Sequence, residues 1–124
     1  MLLDSNIVIY STQPNYDQIR LFIAEHVPFV SAVSYVEVLG YHKLTASDRK
    51  DLEDFFVLMP ILQITSPILD EAVRLRQQQK MSLGDALIAA TAVVHQLTLV
   101  TRNTKDFVWI PALTLLDPIA ERMQ

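Results

Sequence analysis

Cysteine is absent from this chain, and with it go thiolate catalysis, disulfide bonds and cysteine-ligated zinc. Glycine is nearly absent too. Two glycines in 124 residues cannot build a Gly-rich phosphate cradle, and no stretch reads as a Walker loop or a dinucleotide fingerprint. His26, His42 and His95 show no paired metal-ligand spacing, so each reads as a surface or satisfied residue. Long apolar runs are missing as well: the longest, Ala86 to Val94 broken by Thr91, falls far short of a membrane span. Met1-Leu2-Leu3-Asp4 lacks the basic start and apolar stretch of a signal peptide, so the expectation is a cytoplasmic protein with no membrane partner. Positive charge is the last shortage. Ten Lys and Arg face fourteen Asp and Glu, giving a net charge of −4. Phosphate binding normally uses a basic surface. A nucleic-acid substrate would therefore need carboxylates gathered around a cation, with the few Lys and Arg placed near them.

What is present is apolar: 51 % of the residues are hydrophobic, enough for a real core. No repeat, low-complexity tract or linker interrupts the chain, which reads as one domain over 1–124. Leu2-Leu3 is a short strand ending near Asp4, with a helical turn from Ser5 or Asn6. Pro14 suits a helix start, and Tyr16, Ile19, Leu21, Phe22 and Ile23 give that helix an apolar face through Glu25. Pro28 to Ser31 reads as a second strand. Ser34 is a candidate cap for the next helix, with Glu37 completing a capping box. Ser47 opens another helix, with Leu52, Phe55 and Phe56 at helical spacing, and Pro60 ends it. Ile61 to Ile64 is a candidate strand, and Ser66-Pro67 starts a helix to about Gln79. Ser82-Leu83-Gly84-Asp85 opens a helix from Ala86 to Gln96. Leu97 to Thr101 is the strand with the clearest β-branched content, and Leu113 to Leu116 is a candidate edge strand. Short strands alternating with helices indicate an α/β sandwich around a mostly parallel sheet. Ligands of such sheets sit beyond the carboxyl ends of the strands, which directs attention to Asp4 and the segment after Thr101.

Three carboxylates stand out. Asp4 reads either as a helix N-cap or as a ligand at a strand end. Glu37 lies among apolar neighbours and must face solvent or find a partner; a capping role is the alternative. Asp85 opens a helix that is apolar all round, hence buried between layers, with its N-terminus emerging from the core. Ser82 is already available to cap that helix, which frees Asp85 for another task. Thr101-Arg102-Asn103-Thr104-Lys105-Asp106 then gathers hydroxyls, an amide, a carboxylate and two cations, unless it is simply a polar loop. Converging carboxylates and amides suit a hard cation such as Mg²⁺ or Mn²⁺.

Four segments together resemble the PIN domain, and within it the VapC-like toxins of bacterial toxin–antitoxin pairs. They are Leu3-Asp4-Ser5-Asn6, the stretch Ser34 to Gly40 around Glu37, Gly84-Asp85-Ala86-Leu87-Ile88-Ala89-Ala90-Thr91-Ala92, and Leu99 to Phe107. They span essentially the whole chain, in the family's order. The resemblance implies a three-layer α/β/α sandwich with a short, mostly parallel sheet. It also implies endoribonuclease activity dependent on Mg²⁺ or Mn²⁺, inhibition by a small cognate antitoxin protein, and a homodimer. By position Asp4, Glu37 and Asp85 match the family's acidic triad, as metal ligands. Asn103 falls where many relatives place a fourth acid, and Asp106 lies nearby. The amide removes one negative charge from the expected ligand set, which favours one firmly held metal over two.

The expected mechanism is metal-assisted hydrolysis of an RNA phosphodiester. Asp4 and Asp85 would hold the metal, and Glu37 would serve as ligand or as base for the attacking water. Asn103 and Asp106 would orient waters or substrate. Ser5 or Asn6 would hold a carboxylate or the substrate, and Arg102 and Lys105 would contact phosphate. A structured RNA such as a tRNA anticodon stem is a family-level expectation. Phe22, Phe55 and Phe56 are either core or an apolar surface for an antitoxin segment. Competing readings are a phosphoryl-handling receiver, a catalytically silent partner-binding domain, and a PIN-type nuclease of RNA processing without an antitoxin. A receiver needs an adjacent acidic pair at its first strand, and Asp4 stands alone there.

Overall fold

The computed structural model describes residues 1–119. Along the chain run β1 (Leu2–Leu3), α1 (Ser5–Ser11), α2 (Asp17–His26), β2 (Phe29–Ser31), α3 (Ala32–Leu39) and α4 (Ala46–Leu58). They are followed by β3 (Ile61–Leu62), α5 (Ser66–Gln78), α6 (Leu83–His95), β4 (Leu99–Val100) and β5 (Leu115–Leu116). The five strands form one sheet in the order β3-β2-β1-β4-β5, and every pairing is parallel. The fold class expected from sequence is the one observed, and the last strand is indeed an edge.

Strand alternation sorts the core into two layers, because neighbouring side chains point to opposite faces of a sheet. Leu2 and its register partner Leu99 pack with Ile68, Ala72 and Leu75 of α5 and with the alanines of α6. Leu3, Val30 and Val100 face the other way, against Ile7 and Val8 of α1, Ile19 and Phe22 of α2, Val38 of α3, and Leu52 and Phe56 of α4. The alanine-rich α6 lies close against α5, and Ala86, Ile88, Ala89, Ala90 and Ala92 are all buried. Leu83 and Val94 of the same helix are exposed, so α6 is buried along its alanine-rich face and not all round as its composition suggests.

Several element starts differ from the sequence reading. Ser31, at the end of β2, caps α3 by accepting from the Val33 amide at 3.0 Å, so Ser34 lies inside the helix and is fully buried. No Ser34–Glu37 capping box forms, because the cap must sit where the strand ends and the helix turns. Thr45, rather than Ser47, caps α4 through the Asp48 amide. Helix α2 begins at Asp17, since Pro14 and Asn15 form a turn in which Asn15 takes φ 74°. Phe22 and Phe56 are core residues, 3 % and 4 % exposed, so no surface of three phenylalanines exists. Phe55 alone of the three lines an apolar cleft, of 360 Å³, with Ile23, Ala24, Leu58 and Met59.

Candidate active site

Strand order reverses beside β1: the chain builds outward through β2 and β3, then returns to place β4 and β5 on the other side. Ligands of open parallel sheets bind at such a switch point, beyond the carboxyl ends of the strands. Asp4 stands at that point. Its backbone N–H extends the β1–β4 ladder to the Val100 carbonyl at 2.9 Å. Its side chain caps α1, with Oδ1 accepting from the Ser5 amide at 2.8 Å. Oδ2 accepts from the Thr101 hydroxyl at 2.8 Å, a bond between residues 97 apart in sequence. The Thr101 oxygen in turn accepts from the Asn103 amide at 3.0 Å, which fixes the turn leaving β4.

Ser82 caps α6 through the Asp85 amide at 3.1 Å. Asp85 therefore occupies the third helical position, half-buried, where the helix dipole favours a negative group. Glu37 comes from α3. Its Oε1 accepts from the Ser5 hydroxyl at 2.7 Å, and the Ser5 oxygen lies 2.9 Å from that of Ser34.

These elements enclose a cleft of 260 Å³ lined by Asp4, Ser5, Asn6, Ile9, Glu37, Val38, Asp85 and Asn103. Arg102, Lys105 and Asp106 are not part of that lining. Arg102 is drawn to Asp117 at 3.7 Å, while Lys105 and Asp106 are exposed on the turn beyond Asn103. Asp106 still acts on the site through its charge, which helps to raise the Asp85 carboxyl.

Electrostatics define what the cleft can do. Burial pushes the Asp4 carboxyl up to about 6, against the donors Thr101 and Ser5, and the charges of Asp85 and Glu37 push the same way. Burial raises the Asp85 carboxyl too, opposed by Ser82 and assisted by the charges of Glu37 and Asp106. The lining holds three carboxylates and no cationic side chain. The Asn6 Oδ1 is buried with no hydrogen-bond partner among the described residues. Among the described residues no three acidic or histidine side chains stand together as a ready chelating group. Carboxylates of like charge disfavour one another's ionised form, and a cation between them relieves this. This oxygen-only set suits a cation held by one or two carboxylates and completed by water and phosphate, as Mg²⁺ is, rather than a closed protein cage.

Sequence reasoning missed two contributors. Thr101 was visible as the end of the best strand, but its bond to Asp4 depends on β1 and β4 being neighbours. Ser34 was visible only as a helix cap.

The PIN domain family model matches residues 1–111. Ribonuclease VapC2 of Rickettsia felis is 26 % identical over 126 residues, covering 92 % of this chain and 94 % of that protein. A chain of a toxin-antitoxin complex from Klebsiella pneumoniae is 31 % identical over 94 % of this chain and 96 % of its own, with a TM-score of 0.75. A chain of VapBC2 from Rickettsia felis bound to a promoter DNA fragment shares the fold at 23 % identity. Its TM-score is 0.81, with 93 % of this chain and 96 % of that chain covered. The same four segments that build the cleft lie within the matched residues, and the chain belongs to the PIN-domain family.

Proposed function

We propose that this protein is a metal-dependent endoribonuclease acting as the toxin of a toxin–antitoxin pair in the cytoplasm. The observation that carries the catalytic reading is the convergence of Asp4, Glu37 and Asp85 on one cleft without a cationic side chain in its lining. Asp4 and Asp85 would hold Mg²⁺ or Mn²⁺, which when bound supplies Lewis acidity at the phosphate and acidifies water. Asp4 can do so in one orientation only, because Ser5 and Thr101 each hold one of its oxygens. Glu37 keeps Oε2 outside the Ser5 hydrogen bond, free to accept a proton from the attacking water. Asn103 lines the cleft and offers amide protons to a phosphate oxygen. Lys105, exposed on the turn beyond it, supplies a cation for the RNA backbone, and Asp106 tunes the field at Asp85.

Two faces suit protein partners. An apolar cleft of 330 Å³ lined by Ile9, Val38, Tyr41, Leu44 and Leu52 shares Ile9 and Val38 with the carboxylate cleft. An apolar antitoxin segment laid along it would end at the catalytic carboxylates, which links binding to inhibition. A second cleft, lined by Val33, Val36, Leu83, Gly84 and Leu87 with Glu37 at its edge towards the carboxylates, carries Val36 at 70 % and Leu83 at 59 % exposure. A second copy of this chain is the occupant we assign to it.

Replacing Asp4 or Asp85 with Ala is expected to abolish Mn²⁺-dependent RNA cleavage while far-UV circular dichroism stays that of the parent. Cleavage at the parental rate by either variant would refute the assignment.

A further inference from the structure

The Glu37 carboxylate is held on two sides, by the Ser5 hydroxyl with Ser34 behind it and by the backbone at Gly84. Glu37 is exposed on α3, and a long exposed side chain ordinarily samples many rotamers. Here Oε1 accepts from the Ser5 hydroxyl at 2.7 Å, a short charge-assisted bond. A serine hydroxyl has one proton, and Ser5 spends it on Glu37. The 2.9 Å contact between Ser5 and Ser34 therefore has Ser34 as donor. Ser34 is fully buried in α3, so its hydroxyl has no solvent to turn towards. The resulting chain, from Ser34 to Ser5 to Glu37, has one direction, and each bond polarises the next.

Gly84 closes the other side. A Cβ at position 84 would stand 2.2 Å from Glu37 Oε2 and 3.0 Å from its Cδ. The backbone at Gly84 is not in the left-handed region, so no turn requires a glycine there. In the first turn of α6 alanine would be the better helix former. Space for the Glu37 carboxylate is what distinguishes glycine at this position. The seat lies next to Asp85, so it locks a side chain of α3 to the helix start that presents a second carboxylate.

We infer that Ser34 and Gly84 are positioning residues that fix the Glu37 carboxylate in the cleavage site, Ser34 through the Ser5 hydroxyl and Gly84 by leaving room for Oε2. The inference rests on the reading above that Glu37 takes part in cleavage. A Gly84→Ala substitution displaces a flexible side-chain end rather than backbone, so it leaves the fold intact. It should leave Tm unchanged or raise it, yet lower cleavage by roughly 10- to 100-fold, as loss of an orienting partner does. Combined with Glu37→Gln it should add no further loss. Ser34→Ala should lower cleavage in the same direction. In metal-free protein, three-bond side-chain couplings should report one Glu37 rotamer in the parent and averaging in Gly84→Ala and Ser34→Ala.

Parental activity and a single rotamer in Gly84→Ala and Ser34→Ala, with Glu37→Gln inactive, would overturn the inference and leave the nuclease reading standing. A Gly84→Ala loss that adds in full to that of Glu37→Gln, or that follows a fall in Tm, would overturn it as well. Parental activity in Glu37→Gln itself would instead remove Glu37 from the cleavage reaction.

Discussion

Asp4 is 6 % exposed, and that burial sets its titration against the rest of a small acidic protein. Its carboxyl rises from 3.8 to about 6, so the folded chain binds this proton more tightly than the unfolded chain does. Stability from this group is therefore complete below about pH 4 and is lost as pH rises through about 6. By linkage the loss is about 3 kcal/mol. The upward shift of Asp85 acts with the same sign. Asn at position 4 cannot ionise, so the metal-free Asp4→Asn protein should melt above the parent at pH 8 and together with it near pH 4. Scanning calorimetry in chelator checks this, and an equal Tm at pH 8 would mean that Asp4 ionises without strain. At this scale the sequence was readable where a residue answers to its own neighbours. Asp85 follows a ready cap and precedes an apolar helix, and the structure places it at the cleft. Asp4 needed more: its N-cap role follows from the next residue, but its second partner, Thr101, comes from the far end of the chain.

Helix ends carry the next level of information, and one of them is strained. Val27 terminates α2 with φ 43° and ψ 62°, a left-handed conformation that glycine adopts freely and a β-branched residue does not. The side chain is 63 % exposed, so it returns little packing for that strain. Val27→Gly should stabilise the protein by about 1 kcal/mol, less than the full strain because glycine also loosens the unfolded chain. Thermal melting would show a rise of a few degrees; an unchanged or lower Tm would mean that the valine packs usefully. Element boundaries show where sequence reading succeeds. Ser82-Leu83-Gly84-Asp85 reads as an S-x-x-D helix start, and Ser82 is the residue that caps α6. Before α3 two serines compete, Ser31 and Ser34, and the choice depends on where β2 leaves the sheet. Strands β2 to β5 are shorter than their apolar runs suggested, because a parallel ladder ends where its neighbour ends.

On the scale of the molecule, a chain of net charge −4 gathers Asp4, Glu37 and Asp85 at one end of its sheet. A divalent cation that binds there relieves both the burial and the mutual repulsion of those groups. Mn²⁺ at 100 times its dissociation constant should stabilise the parent by about 2.7 kcal/mol. The same addition should leave the Tm of the Asp4→Ala, Asp85→Ala double variant unmoved. Thermal melts with and without the ion at pH 7.5 measure the difference, and an equal response from both proteins would place the binding elsewhere. The layer architecture was legible from the alternation of helix and strand periods. The two-sided division of the core was not, because it depends on the register that pairs Leu2 with Leu99 and Leu3 with Val100.

That register also has a consequence for synthesis. Strand β1 precedes the other four strands in the chain, yet it lies between β2 and β4, and β4 follows it only after six helices. Until Thr101 has cleared the exit tunnel, the sheet has no far side and Asp4 lacks one of its two donors. A nascent chain stalled after Asp85 carries all three carboxylates and still lacks Thr101 and Asn103, so the cleft that gathers them is completed only after β4 is made.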